Sequence, residues 1–140
     1  MVTAGWRELV DLPAWGITRL RAKLDTGART SALHVAAVEE TAPGHVTFEV
    51  VTSRRSDRRV TVSAPVVRRT TVRSSHGRST RWVVTTPLRL GPILREIEVT
   101  LVDRGKLLHR MLVGRTALVG ILVDPSRRYV LTRPRGSPPP

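Results

Sequence analysis

Apolar and polar residues alternate with period two through short stretches of this chain, and the stretches stop at glycine, proline or clusters of small polar residues. Val46, Phe48 and Val50 share one parity, as do Ile97, Val99 and Leu101 between Glu96, Glu98 and Thr100. Successive side chains of a strand point to opposite faces, so this pattern specifies half-buried β-strands. Aromatic residues make up only 4% of the sequence, which leaves Val, Leu, Ile and Thr to fill the interior. Those residue types fit a pleated sheet better than a helix. Many short strands with regularly spaced turns indicate an all-β barrel or sandwich.

The elements can be placed in outline. Trp6 to Val10 is a short mixed segment, and Leu12-Pro13-Ala14-Trp15-Gly16 reads as a turn. Ile17 to Leu24 reads as an alternating strand that runs into Asp25-Thr26-Gly27, and His45 to Thr52 as another. Arg54 to Arg59 is a polar hairpin tip, Val60 to Val62 returns, and Pro65 ends that strand. Val66 to Arg73 and Arg81 to Thr86 flank Ser74 to Ser79, a long hairpin with a mobile glycine-bearing tip. Leu88 to Leu90, Gly91-Pro92 and Ile93 to Val102 form a further hairpin. Leu108 to Val113 is a last buried run, and Arg115 to Val119 offers one helical turn. Ile121 to Val123 and Tyr129 to Leu131 are the remaining strand candidates. The Pro-rich tail, residues 133–140, has nothing to bury and is expected to be disordered.

A chain of 140 residues supports one domain with a modest core. It has no apolar run of the roughly 20 residues that a membrane-spanning helix needs, and its N-terminus lacks the charged and apolar regions of a signal peptide. With no cysteine, disulfide frameworks, thiolate zinc sites and cysteine nucleophiles are excluded; the composition is compatible with a cytoplasmic location. The net charge is +13, and all but two of the 24 basic residues, Lys23 and Lys106, are arginine. A GC-rich genome favours arginine on its own account. The same charge is also a field for polyanions, whether nucleic acid, acidic lipid or acidic peptide.

Asp25-Thr26-Gly27 is the candidate for chemistry. A carboxylate at a strand end, followed by a hydroxyl residue and glycine, sits in a tight loop whose free N–H groups stabilise its ionised form. Alone the triplet is weak, because Asp-Gly turns are common.

The longer string Lys23-Leu24-Asp25-Thr26-Gly27-Ala28 resembles the active-site segment of the retropepsins, and Met111-Leu112-Val113-Gly114-Arg115 resembles the apolar-Gly-Arg element before their C-terminal helix. The Ser74 to Ser79 hairpin falls where that family has its flap. Within the superfamily the chain is most similar to small bacterial proteins often labelled "ATP-dependent zinc protease" and associated with RimK-type ATP-grasp ligases. Gly5-Trp6-Arg7, Lys23 to His34, Ser74-Ser75, Arg110 to Arg115 and Val123-Asp124-Pro125-Ser126 carry that likeness.

The resemblance implies an all-β, retropepsin-like closed barrel over residues 1–132 with one short C-terminal helix, acting as an aspartic-type peptidase. Asp25, Thr26 and Gly27 take the catalytic role. Since the chain has one Asp-Thr-Gly, a carboxylate dyad requires a homodimer. Ala28, Arg29, Thr30, Ser75, His76 and Gly77 are the expected substrate-binding residues, and Gly114 and Arg115 the structural ones. Retroviral enzymes carry acidic residues where Arg29 and Thr30 stand. A cation at Arg29 suits an acidic or glutamate-rich substrate, although Arg29 could equally form an internal ion pair. His76 reads either as part of a closing flap or as a solvated loop histidine.

No cofactor is called for. There is no His-Glu-x-x-His, His34, His45, His76 and His109 are scattered, and there is no Walker loop. Two other readings remain: a retropepsin-shaped binding module with little catalysis, and a basic nucleic-acid-binding barrel. Against the latter, Trp6, Trp15 and Trp82 are too scattered for a base-stacking platform.

Overall fold

The structure is a computed structural model that describes residues 1–53, 58–75, 77–103 and 109–134. The described residues form ten strands: β1 (Val2–Leu12), β2 (Ile17–Asp25), β3 (Ser31–Ala42), β4 (His45–Val51), β5 (Arg59–Pro65), β6 (Arg68–Ser74), β7 (Gly77–Leu90), β8 (Ile93–Val102), β9 (Met111–Gly114) and β10 (Ile121–Arg128). Strands β1, β2, β9, β3, β8 and β7 follow one another around a barrel, and the pairing of Asp11 with Arg89 closes β7 back onto β1. Strand β10 lies parallel to β1 outside this ring, and β6 extends from β7 as the second arm of the expected hairpin.

Aliphatic alternation builds the interior. Val10 and Leu12, Leu20, Ala22 and Leu24, Val84 and Leu88, and Ile97, Val99 and Leu101 all point inward and are buried. The period-two pattern of β2 breaks between Ile17 and Leu20, and the backbone shows why. Arg19 takes a left-handed φ of 57° and its N–H donates to Asp11 Oδ1 at 2.9 Å, so one extra residue is absorbed before the alternation resumes. Ala37 does the same in β3 with φ 54°. Before that bulge Ser31–His34 pair with β8 and β9; beyond His34 the strand pairs with β4 instead. Phe48 on β4 is fully buried and meets the edge of Trp15 at a centroid distance of 5.6 Å.

The expected short C-terminal helix is a single 3-10 turn, Arg115–Ala117, because Gly120 (φ 80°) turns the chain directly into β10. Two expectations need correction. The mixed segment at Trp6 is part of an eleven-residue strand, held by β10 on one side and β2 on the other. Tyr129 to Leu131 is not a strand: Tyr129 has φ 56°, which ends β10 and turns the following N–H groups toward Glu8. The hairpin tip at 54–57, His76, Leu108 and the tail at 135–140 lie outside the described residues.

Candidate active site

Strand β2 delivers Asp25 to the barrel end, where parallel pairing with β9 sets it opposite Gly114. Asp25 is half-buried. Its Oδ1 accepts a hydrogen bond from the Gly27 N–H at 3.0 Å, and the Ala28 N–H closes the turn on the Asp25 carbonyl at 3.2 Å. Such donors hold a carboxylate in one orientation.

The turn after β9 locks this loop from the other side. The Arg115 N–H donates to the Ala28 carbonyl at 2.8 Å, and the Thr116 hydroxyl and N–H both donate to the Arg29 carbonyl, at 2.9 and 3.2 Å. The Gly114 N–H donates to Ser31 Oγ at 3.1 Å. A Cβ on Gly114 would stand 2.5 Å from the Thr30 carbonyl carbon and oxygen, closer than real Cβ atoms approach. The two segments on which the sequence resemblance rests, 23–33 and 111–115, thus meet across two strand pairs, β2–β9 and β3–β9, and one interlocked turn.

The expected binding residues fall in several places. Ala28 and Thr30 line a cavity of about 420 Å3 together with Thr70 and Arg81 of the β6–β7 hairpin and His109 and Arg110 before β9. Arg29 is exposed and faces a second cleft of about 670 Å3, shared with Arg95, Glu96, Thr116 and the ion pair of Arg68 with Glu98 (2.6 Å). Of its two readings, internal pairing finds no partner: among the described residues no carboxylate pairs with Arg29. Ser75 and Gly77 sit at the exposed hairpin turn, where Gly77 has φ 111° and pairs with Ser74.

Strand register exposes a feature that the sequence hid. Arg128, Arg7 and Lys23 are direct cross-strand neighbours on β10, β1 and β2, and the row continues to Leu112 on β9. Arg7 donates through Nε to His109 Nε2 at 3.1 Å and stacks on Trp6, whose ring meets the His109 edge. None of the three cations forms an ion pair among the described residues. Like charges placed opposite one another destabilise a sheet. Lys23 and Asp25, two apart on β2, share one face of that strand. Burial, then Arg7, Lys23, Arg21 and Arg110, push the His109 pKa below its ordinary value. Lysine, arginine and histidine positions become a site only when the register is known.

Sequence reading also passed over Glu8, which is fully buried. It held a legible signal, since Val10 and Leu12 fix the inward parity of β1 and Glu8 shares it.

Among the described residues no group of three His, Asp or Glu could hold a metal ion. The Nε2 of His109 is engaged by Arg7, and His34 lies beside the cation Arg110.

Comparison with known proteins gives the same picture. The model of the family described as retropepsin-like aspartic endopeptidase RimB matches residues 3–134. A protein named probable alpha-L-glutamate ligase from Desulfotalea psychrophila is 35% identical over 134 residues, and one of the same name from Parasynechococcus marenigrum is 35% identical over 137. These matches cover 91% and 93% of this chain but 29% of each relative, so the chain spans less than a third of their length. A crystal structure of a Legionella pneumophila protein described as of unknown function (DUF785) superposes with a TM-score of 0.79 at 27% identity, covering 94% of this chain and 98% of that one. With the barrel, the interlocked Asp25 and Gly114 turns and the family match in agreement, this chain belongs to the RimB-like family of retropepsin-like aspartic endopeptidases.

Proposed function

We propose that the chain is an aspartic-type peptidase that hydrolyses a peptide or glutamyl amide bond in an acidic substrate, using Asp25 from each of two copies. The observation that carries this reading is the setting of Asp25. It stands at a strand end, held by the Gly27 N–H, beside a row of cations that form no ion pair among the described residues. Two carboxylates brought together across a two-fold axis share one proton, because both cannot ionise at close range. The ionised member takes a proton from water as that water attacks the amide carbon; the protonated member gives its proton to the departing nitrogen. Thr26 and Gly27 shape the loop, while Arg29, Arg81 and the Arg7–Lys23 row offer donors to substrate carboxylates.

The names of the relatives support a partner. A glutamate ligase joins glutamate through new amide bonds, and a peptidase with a cationic cleft would remove such residues. We therefore place this chain alongside an ATP-grasp ligase, in the cytoplasm where its ATP is found.

The test is incubation of the full chain with a peptide carrying a C-terminal run of α-linked glutamates, with released products followed by mass spectrometry and subunit association by sedimentation. Hydrolysis that disappears in Asp25→Asn, in a protein that still dimerises, is the expected result. Equal cleavage by Asp25→Asn, or full activity in a strictly monomeric protein, would remove the dyad.

A further inference from the structure

His109 is the one titratable side chain of the cationic wall that can change its charge near neutral pH. It is buried, at 9% exposure, yet lines the cavity that Ala28 and Thr30 share with Arg81 and Arg110. Its Nε2 accepts from Arg7 Nε, so in this state the imidazole is neutral and one arginine N–H is spent inside the wall. An imidazolium could not accept that bond.

We propose that His109 couples proton uptake to ligand binding: when a carboxylate-rich ligand enters the cleft, Nε2 takes a proton from solvent, Arg7 is released, and both N–H groups turn to ligand carboxylates. This rests on the reading that the cleft takes acidic ligands, and deepens it. The proton balance is one proton from solvent onto Nε2 per ligand bound, with no bond otherwise made or broken.

The surroundings give the direction. Facing His109 are Arg7 on β1, Arg21 and Lys23 on β2, and Arg110 beside it, with Arg81 of β7 across the cavity. Burial first, and then Arg7, Lys23, Arg21 and Arg110, keep the free imidazole unprotonated near neutral pH. A bound polyanion adds negative charge beside the imidazole and opposes the Coulomb effect of these cations. Linkage then requires the converse: ligand affinity rises as pH falls through the window between the free and bound imidazole pKa values.

The experiment uses Asp25→Asn protein, which cannot consume the ligand, and a hexa-α-glutamate peptide at low salt, between pH 6 and 8, where the peptide stays ionised. Imidazole NMR titrations should show His109 moving to higher pH with peptide, while His45, exposed at the start of β4, stays in place. Affinity should be about three- to tenfold tighter at pH 6 than at pH 8, and His109→Gln should flatten that difference. If the peptide binds but His109 does not move, or the pH dependence survives in His109→Gln, the coupling is wrong and the acidic-ligand reading stands. If no peptide binds at any pH, both fall. Should His109→Gln fail to fold, the NMR titration decides alone.

Discussion

The carboxylate of Glu8 and the hydroxyl of Thr132 lie 2.6 Å apart across 124 positions of sequence. The same carboxylate accepts the N–H groups of Gly5, Val130, Leu131 and Thr132 at 2.8–3.0 Å, so five donors surround it without any cation. The Thr132 hydroxyl oxygen accepts from the Leu9 N–H in turn, at 2.8 Å. Glu8 therefore fastens the segment after β10 to β1, while Leu131 packs over Gly91 at the β7–β8 turn.

Removing that carboxylate strands the buried Gly5 N–H and three part-buried N–H groups at once. Glu8→Ala should lower stability by about 3 kcal/mol or more. Glu8→Gln should cost less, since its amide retains an acceptor but also presents N–H to N–H. Urea denaturation measures both. A Glu8→Ala loss below about 1 kcal/mol would mean that water replaces the carboxylate.

Gly114 makes a second sharp prediction. Its Cβ would collide with the Thr30 backbone, which no rotamer change can relieve. Gly114→Ala should cost about 1–3 kcal/mol and displace the loop that carries Asp25. The Gly27 and Ala28 amide resonances should shift, and peptide hydrolysis should fall further than stability does. Unchanged amide shifts in a folded variant would show that the two turns are not interlocked.

Lys23 separates stability from binding. Flanked by Arg7, it repels its neighbour, so Lys23→Met should leave stability within about 0.5 kcal/mol or raise it. The same change should weaken oligoglutamate binding and reduce its dependence on salt. A variant that loses stability without losing affinity would place Lys23 among the structural residues.

The sequence made the barrel legible because aliphatic alternation survives in a small, aromatic-poor core, and two separated motifs fixed the strand pair that carries Asp25. The bulge at Arg19 left a three-residue step between Ile17 and Leu20, whereas that at Ala37 was hidden because left-handed backbone at a non-glycine residue leaves little trace in residue type. The Arg128–Arg7–Lys23 row was invisible for another reason: three residues from distant segments become neighbours only through register. Glu8 was legible by parity but contrary to residue type, and its partners lie at the opposite end of the chain.

Acid should destabilise this protein earlier than its carboxylates require. His34 and His109 both have pKa values pushed below the ordinary 6.5, in each case by burial first; Arg110 follows for His34 and Arg7 for His109. Unfolding frees both to bind protons at the normal pKa, so the unfolded chain holds more protons once pH drops below about 6.5. Stability is full above that value and declines as pH falls toward the folded-state pKa values. Between pH 7.5 and 5.5 most carboxylates stay ionised, so the slope there belongs chiefly to the histidines. His34 Nδ1 is buried without a hydrogen-bond partner among the described residues. His34→Leu should therefore flatten this slope while leaving stability at pH 7.5 unchanged or raised by up to about 1 kcal/mol. Urea unfolding across this range measures it, and an undiminished slope in the His34→Leu, His109→Gln double variant would assign the acid sensitivity to other groups.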